Sequence, residues 1–147
     1  MFTVAIRISL AVLFLDEFVV GFWNQFFPQS FYENFPTVEL TPPFSEHYAR
    51  DFGSATLGIA LLLAIALVVP RSVFVIPAAL AYCTFAIPHF FFHLNHLHDA
   101  TRGEAVLLTA GNVIVAGLGL AAIGLSLIRD RRAGSVSEPT QAIESRA

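Results

Sequence analysis

Residues 72–99 read SVFVIPAALAYCTFAIPHFFFHLNHLHD, and this stretch decides what kind of fold the chain adopts. The part over 72–94 carries no Asp, Glu, Lys or Arg, and as a helix rising about 1.5 Å per residue it is long enough to cross a bilayer core of about 30 Å. Pro77 and Pro88 lie inside it, which membrane helices tolerate where neighbouring groups satisfy the freed carbonyls. Four of the five histidines then fall between residues 89 and 98. The stretch therefore predicts a transmembrane helix that ends in a histidine-rich polar loop.

Three further apolar segments, each about 20 residues long, have the length of a membrane helix and cover residues 3–23, 51–69 and 105–128. Of the 147 residues, 56% are hydrophobic and 13% are charged, which is too apolar for an ordinary soluble domain. The chain has no lysine and no basic run, so nucleic acid is not an expected partner, and its single cysteine excludes a disulfide framework. We expect an all-α fold, a four-helix transmembrane bundle over residues 1–132, followed by a disordered polar tail over 133–147.

Arginine placement predicts how these helices are oriented in the membrane, because basic residues favour the cytoplasmic side. The basic residues near one set of helix ends are Arg7, Arg71, Arg129, Arg131 and Arg132. Both termini are therefore expected in the cytoplasm, and loops 24–50 and 95–102 outside, in a bacterial cytoplasmic (inner) membrane. The lipid bilayer is the main expected partner. The small residues Gly117 and Ala121 permit close helix contact, so a homo-oligomer or a larger membrane complex is also expected.

The outer loop 24–50 is unusually aromatic and contains four prolines. Aromatic rings favour the membrane interface, so we expect this loop to lie there and to cover the helices as a lid. A short helix is expected between Pro28 and Pro36, with Pro28 in its first turn. Ser45 is the expected N-cap of the second long helix, and Thr101 begins a capping box with Glu104 before the fourth.

In a helical hairpin, residues that are equally far from the turn lie at the same height, and this places the histidines and an aspartate near one another. Asp51 and His89 are equally far from the turn at Pro70, about 28 Å along each helix, and His47 and His93 are both about 35 Å away. Each helix also carries its two residues at i, i+4 spacing, on one face. Imidazole and carboxylate ligands suit zinc or non-haem iron. The pattern predicts a metal site formed by His47, Asp51, His89 and His93, with Glu17 and His96 as secondary candidates.

Two acidic residues interrupt the first apolar segment, which favours a retained membrane helix over a cleaved signal peptide. A carboxylate within a membrane helix is by default a functional candidate. Adjacent residues point about 100° apart, so Asp16 and Glu17 are not both expected to face the same groove. Glu17 is the expected inward residue, because it falls on one stripe with Leu10, Leu13 and Gly21.

Three interpretations of the histidine cluster stay open on the sequence alone. At its expected depth the cluster lies near the outer edge of the hydrocarbon core, where interface anchoring or mutual hydrogen bonding accounts for it. A metal or catalytic site is the second interpretation, and a proton or solute path is the third. No residue is assigned a catalytic role.

Three motifs carry a resemblance to a known family: FYENFP at residues 31–36, EHYARDFG at 46–53, and Pro88-His89 followed by His93 and His96. In these motifs the chain resembles small bacterial four-helix membrane proteins of the DoxX-like type, over about residues 3–128. The resemblance implies a four-helix membrane bundle and a link to redox and sulfur metabolism near quinones. Because the chain lacks a cysteine pair, thiol chemistry is not expected. The function expected from sequence is a metal-binding or redox membrane protein, or else a non-catalytic membrane subunit or a small-solute or proton permeation element.

Overall fold

The computed structural model describes residues 1–40 and 43–144, and the side chains of all of these except Glu39 and 136–144. These residues form five α-helices and a short 3₁₀ turn, with no strand among them. The helices are α1 (Phe2–Phe26), α2 (Pro28–Asn34), α3 (Glu46–Val68), α4 (Ser72–Leu94) and α5 (Arg102–Glu144), and the 3₁₀ turn is Val38–Leu40. The predicted all-α class is confirmed.

Local capping signals explain where the helices begin. Ser45 Oγ accepts a hydrogen bond from the Tyr48 N–H at 3.4 Å, which caps α3. At the start of α5, the Thr101 N–H donates to Glu104 Oε2 at 2.7 Å and the Glu104 N–H donates to Thr101 Oγ1 at 3.4 Å, forming the predicted capping box. Pro28 lies in the first turn of α2, where its missing N–H costs nothing.

In the described part of the chain, three helices are long and apolar enough to cross a membrane: α3, α4 and the Arg102–Ser135 part of α5. Many of their large apolar side chains are exposed on the outside of the molecule, as Leu61, Leu80 and Leu120 are. Water would oppose such exposure and lipid would favour it. The chain therefore has the character of a multi-pass membrane protein.

The long helices contact one another in a cycle, with α1 and α4 each packed against both α3 and α5. Their buried apolar residues concentrate at the end that holds the turn between α3 and α4, which we call the turn end. This core includes Ile6, Leu10, Leu13, Leu63, Ala66, Val75, Ala79 and Ala122. At the opposite end, the aromatic end, the helices are covered by residues 27–40 and 43–45, which we call the aromatic segment.

Glycines set the distance between α1 and α3. A Cβ atom on Gly53 would lie 2.6 Å from the Gln25 backbone nitrogen, and one on Gly21 would lie 2.9 Å from the Leu57 nitrogen. Contacts this short with backbone do not occur, so this crossing requires both glycines. In α5 the glycine that closely approaches a neighbouring helix is Gly119, whose Cβ would lie 2.7 Å from Cys83 Sγ, whereas Gly117 faces open space.

Arginine contacts tie the turn end together. Arg129 of α5 donates to the Pro70 carbonyl at 2.7 Å and to Ser72 Oγ at 2.8 Å. Arg132 lies over the Phe2 ring, 4.9 Å from its centroid. The start of α1 and the membrane-length part of α5 therefore meet at the same end of the molecule.

The last helix continues through residue 144, past the domain end predicted at 132. The division into a domain over 1–132 and a disordered tail over 133–147 stays a prediction, and residues 145–147 lie outside the described part.

Candidate functional site

A cavity of about 870 Å³ opens between the long helices at the aromatic end. Its lining residues come from α1 beyond Leu15, the first turns of α3, α4 from Tyr82 onward, and α5 between Leu107 and Val115. The aromatic segment closes it from above through Phe31, Phe35 and Phe44. Small residues at this level, such as Ala49, Ala86 and Gly111, leave the space unfilled.

Glu17 is the most deeply buried carboxylate of the cavity. The helical period of α1 places it on the buried stripe with Leu10, Leu13 and Gly21, as the sequence predicts, and only 2% of its surface is exposed. Its Oε2 atom has no hydrogen-bond partner. An unpaired buried polar group is costly, so this atom calls for a donor that the protein does not supply.

Asp16 also lines the cavity, and the expectation that only one of the two acids would do so is wrong. Its Oδ2 atom accepts a hydrogen bond from the Tyr82 hydroxyl at 3.4 Å. The rotation of about 100° between neighbours on a helix excludes a shared narrow groove, but this cavity is wide enough to receive both side chains. The two carboxylates thus stand side by side on one wall.

His89 and His93 line the cavity from α4. Their ring centroids are 4.4 Å apart in an edge-on arrangement, and the His89 ring is 4.8 Å from that of Phe85. The predicted common face of this pair is confirmed. His96 lies outside the lining, stacked on Phe92 at 4.1 Å with its Nδ1 2.7 Å from the Phe92 carbonyl oxygen.

His47 and Asp51 form a pair on the surface of α3 outside the cavity. The two side chains are 88% and 68% exposed, and His47 Nε2 lies 3.3 Å from Asp51 Oδ2. The physical reason is rotational. Gly53 faces α1, and Asp51, two residues earlier, lies about 200° around the helix from it. Equal distance from the Pro70 turn fixes the height of a residue but not the direction in which it points.

The predicted set of four ligands is therefore divided into two pairs in this structure. Among the side chains that the structure describes, no group of three or more His, Cys, Asp or Glu residues could hold a metal ion. This geometry gives the expected zinc or iron site no support, and metal binding there stays a prediction.

Sequence reasoning missed Tyr82, which lies at the bottom of the cavity with 1% of its surface exposed. The comparison of heights that paired Asp51 with His89 also places Tyr82 close to the height of Asp16. Tyr82 is about 18 Å from the Pro70 turn, and Asp16 is about 20 Å from Thr3. Asn112, which lies about 26 Å along α5 from Arg129 and so nearer the level of His89, also lines the cavity and donates from Nδ2 to the Leu108 carbonyl at 2.9 Å.

The site as a whole is an apolar space with a few polar groups on its walls. Volumes of about 300–1,000 Å³ with such a lining are typical of small-molecule sites. Carboxylates at Asp16 and Glu17 accept hydrogen bonds, and the aromatic rings around them offer faces for stacking. The arrangement is suited to hold a molecule and to orient one end of it.

Comparison with known proteins finds no matching family model, no similar curated protein and no similar solved structure. The resemblance to DoxX-like proteins thus rests on the sequence motifs alone.

Proposed function

We propose that the chain is a four-helix transmembrane bundle of the bacterial cytoplasmic membrane that binds a small, largely apolar molecule in its cavity. In this proposal α1 is the fourth span, both termini are cytoplasmic, and the aromatic segment lies in the outer interface above the bound molecule. The contacts of α1 with both α3 and α5 along the bundle support its role as a span.

The observation that carries the proposal is the cavity itself, about 870 Å³ of space lined mainly by apolar and aromatic groups. Protein interiors are close-packed, and voids much larger than a water molecule are few. A space of this size, roofed by Phe31 and Phe35, has the dimensions and lining of a ligand site.

Binding fits this geometry better than permeation. All lining residues belong to the aromatic end, while the turn end is filled by fully buried side chains such as Ile6, Leu63 and Val75. A path for a solute or proton across the membrane would have to pass through this packed core. The cavity ends at this core, so it serves as a binding pocket and not as a path across the membrane.

The test uses 4-(1-pyrenyl)butanol, a neutral apolar probe, with the protein in lipid nanodiscs. Trp23 is the only tryptophan, and its ring packs against Phe31 and Phe35 of the cavity roof at centroid distances of 5.7 and 6.2 Å. Energy transfer from Trp23 to pyrene therefore reports a probe inside the cavity. We expect saturable transfer that excess 4-phenylbutanol displaces.

A matched pair of variants on α3 separates the cavity from the lipid-facing surface. Ala49 lines the cavity and Ala55 is exposed outside it. Ala49→Phe should weaken binding about ten-fold, a change of about 1.4 kcal/mol, because the new ring occupies ligand space, and Ala55→Phe should leave it unchanged. Non-saturable transfer, equal in both variants, would show that the probe only dissolves in the lipid and would refute the proposal.

A further inference from the structure

We infer that the ligand of this cavity is a lipophilic amine in its protonated form, held with its N–H groups against Asp16 and Glu17 and its apolar part among the aromatic side chains. The inference rests on the proposed binding function and specifies its ligand class. It follows from unpaired acceptors, the absence of arginine and lysine from the described cavity lining, and the nature of the walls.

The first step is the unsatisfied oxygen of Glu17. The residue is 2% exposed, so water does not solvate it as it would a surface carboxylate, and Oε2 has no partner in the structure. Buried polar atoms in folded proteins are nearly always paired. Asp16 has spare acceptor capacity as well, because its hydrogen bond from Tyr82 is long at 3.4 Å. The ligand must therefore bring donors.

The second step is charge. No arginine is among the described residues that line the cavity, and the chain has no lysine. The nearby cation on α3, Arg50, is engaged elsewhere, donating to Glu46 Oε1 at 2.8 Å and to the Gln25 carbonyl at 2.6 Å. Two adjacent carboxyl groups in an apolar space then have no arginine or lysine among the described lining residues to stabilise their ionised form. A cationic ligand supplies donors and charge in one group.

The third step concerns the histidines, the other ionisable groups in the cavity. The His89 ring contacts the rings of His93 and Phe85, while the hydrogen bond to the acidic wall comes from Tyr82. The histidines therefore do not take the place of the missing cation.

The fourth step is the wall chemistry. Tyr82, Phe52 and Phe85 line the cavity, and the rings of Phe52 and Phe85 are 5.5 Å apart. Aromatic faces attract ammonium groups and also pack against apolar bodies. An anionic ligand would bring further acceptors to oxygens that lack donors, and either carboxyl group would repel it once ionised. A bare metal ion would need at least a third ligand close by, which the described side chains do not provide.

The experiment compares three pyrene probes that share one body and differ in head group: 4-(1-pyrenyl)butylamine, 4-(1-pyrenyl)butanol and 4-(1-pyrenyl)butyrate. Each is titrated into the protein in nanodiscs of neutral lipid, with energy transfer from Trp23 as the signal. We expect the amine to bind at least about ten-fold more tightly than the alcohol, and the butyrate to bind most weakly.

Charge-neutralising variants then show whether Asp16 and Glu17 cause the preference for the amine. Glu17→Gln keeps the shape and one acceptor oxygen but removes the charge, and it should lower amine affinity about ten-fold while leaving alcohol affinity unchanged. Asp16→Asn is a second variant with the same expected direction. Glu33→Gln on α2 is the control, because Glu33 is exposed, bonded to Gln29 and outside the cavity, so it reports only general attraction of cations.

The outcomes are distinct. Equal saturable binding of amine and alcohol, or an equal effect of Glu17→Gln and Glu33→Gln, would overturn the inference and leave the proposed binding function standing. No saturable binding of any probe would overturn the proposed function and the inference with it. Unchanged thermal unfolding of Glu17→Gln and Asp16→Asn verifies that a loss of affinity is not a loss of fold.

Discussion

Glu17 occupies a position in α1 that an apolar side chain would fill at lower cost. Its neighbours on the buried stripe, Leu10 and Leu13, are fully buried hydrophobic residues, and the helical period continues through Glu17 to Gly21. A carboxylate with an unpaired oxygen in such a place lowers the stability of the empty protein. Residues that break a local rule in this way are typical of functional sites.

Replacement of Glu17 by leucine should therefore stabilise the ligand-free protein. We expect a gain of about 1–3 kcal/mol in the free energy of unfolding, since Leu removes the unsatisfied oxygen and extends the apolar stripe. Asp16→Leu should give no such gain, because it leaves the buried Tyr82 hydroxyl without its acceptor. Unfolding in detergent without added ligand measures both, and a less stable Glu17→Leu protein would show that the carboxylate is satisfied in the folded state.

Two glycines of α3 should respond to alanine in opposite directions. A Cβ on Gly53 would meet the Gln25 nitrogen at 2.6 Å and the Gly21 oxygen at 2.9 Å, so Gly53→Ala must push α1 and α3 apart, at a cost of about 1–3 kcal/mol. At Gly58 nothing lies within 4 Å, so Gly58→Ala should gain about 0.5–1 kcal/mol from the better helix propensity of alanine. Thermal unfolding of the two variants in the same detergent compares them. Equal stability would contradict the close crossing.

At the scale of whole elements, the helices themselves could be predicted because their signals are local. The third segment, predicted over 72–94, coincides with α4, Ser72–Leu94, and Ser45 and Thr101 cap the helices that follow them. Length, hydropathy and caps are properties of a few adjacent residues.

Which face of each helix is buried could be predicted from the sequence only in part. For α1, the stripe that runs through Glu17 is enough to identify the buried face, because α1 mixes polar and apolar residues and their spacing shows which side is buried. For α3 the polar residues His47 and Asp51 suggested an inward face, but the buried face is set by Gly53 and Thr56, whose small size allows α1 to approach. That choice depends on the partner helix, and so the ligands expected on α3 and α4 do not converge in this structure.

The aromatic segment should act as the lid of the cavity, and its attachment to α1 is the part to test. Phe31 is 6% exposed and contacts Trp23 at 5.7 Å and Phe35 at 4.6 Å between ring centroids. Phe31→Ala should loosen α2 and raise the dissociation rate of 4-(1-pyrenyl)butylamine about ten-fold, as rapid dilution with energy transfer would measure. Phe27→Ala is the control, because Phe27 is 57% exposed and outside the cavity lining. Equal rates for both variants would mean that ligand leaves by another route.

For the molecule as a whole, the two ends differ in chemistry. The turn end holds a packed apolar core bordered by Arg129 and Arg132, and the aromatic end holds the cavity with its acidic wall. Basic residues favour the cytoplasmic side and aromatic belts the interfaces. In the proposed orientation, this asymmetry places the aromatic end at the outer face, where an amphipathic ligand can reach the cavity from the outer leaflet.

Topology is tested by single cysteines in a Cys83→Ala background, labelled with a membrane-impermeant maleimide. Glu33→Cys on the aromatic segment should react in intact cells, whereas Ser135→Cys, just beyond Arg132, should react only after the membrane is permeabilised. Both expectations follow from the arginines at the turn end. Labelling of Ser135→Cys in intact cells would show that the molecule has the opposite orientation, with the aromatic end and the cavity on the cytoplasmic side.

A third position, Thr3→Cys, decides whether α1 is the fourth span. Phe2 lies against Arg132, so the start of α1 is at the turn end, and a spanning α1 places Thr3 on the cytoplasmic side with Ser135. We therefore expect Thr3→Cys to be protected in intact cells. If it reacts there while Ser135→Cys does not, then α3, α4 and α5 alone cross the membrane. In that case α1 could not lie along them as it does in this structure, and Glu17 would not face a cavity within the membrane.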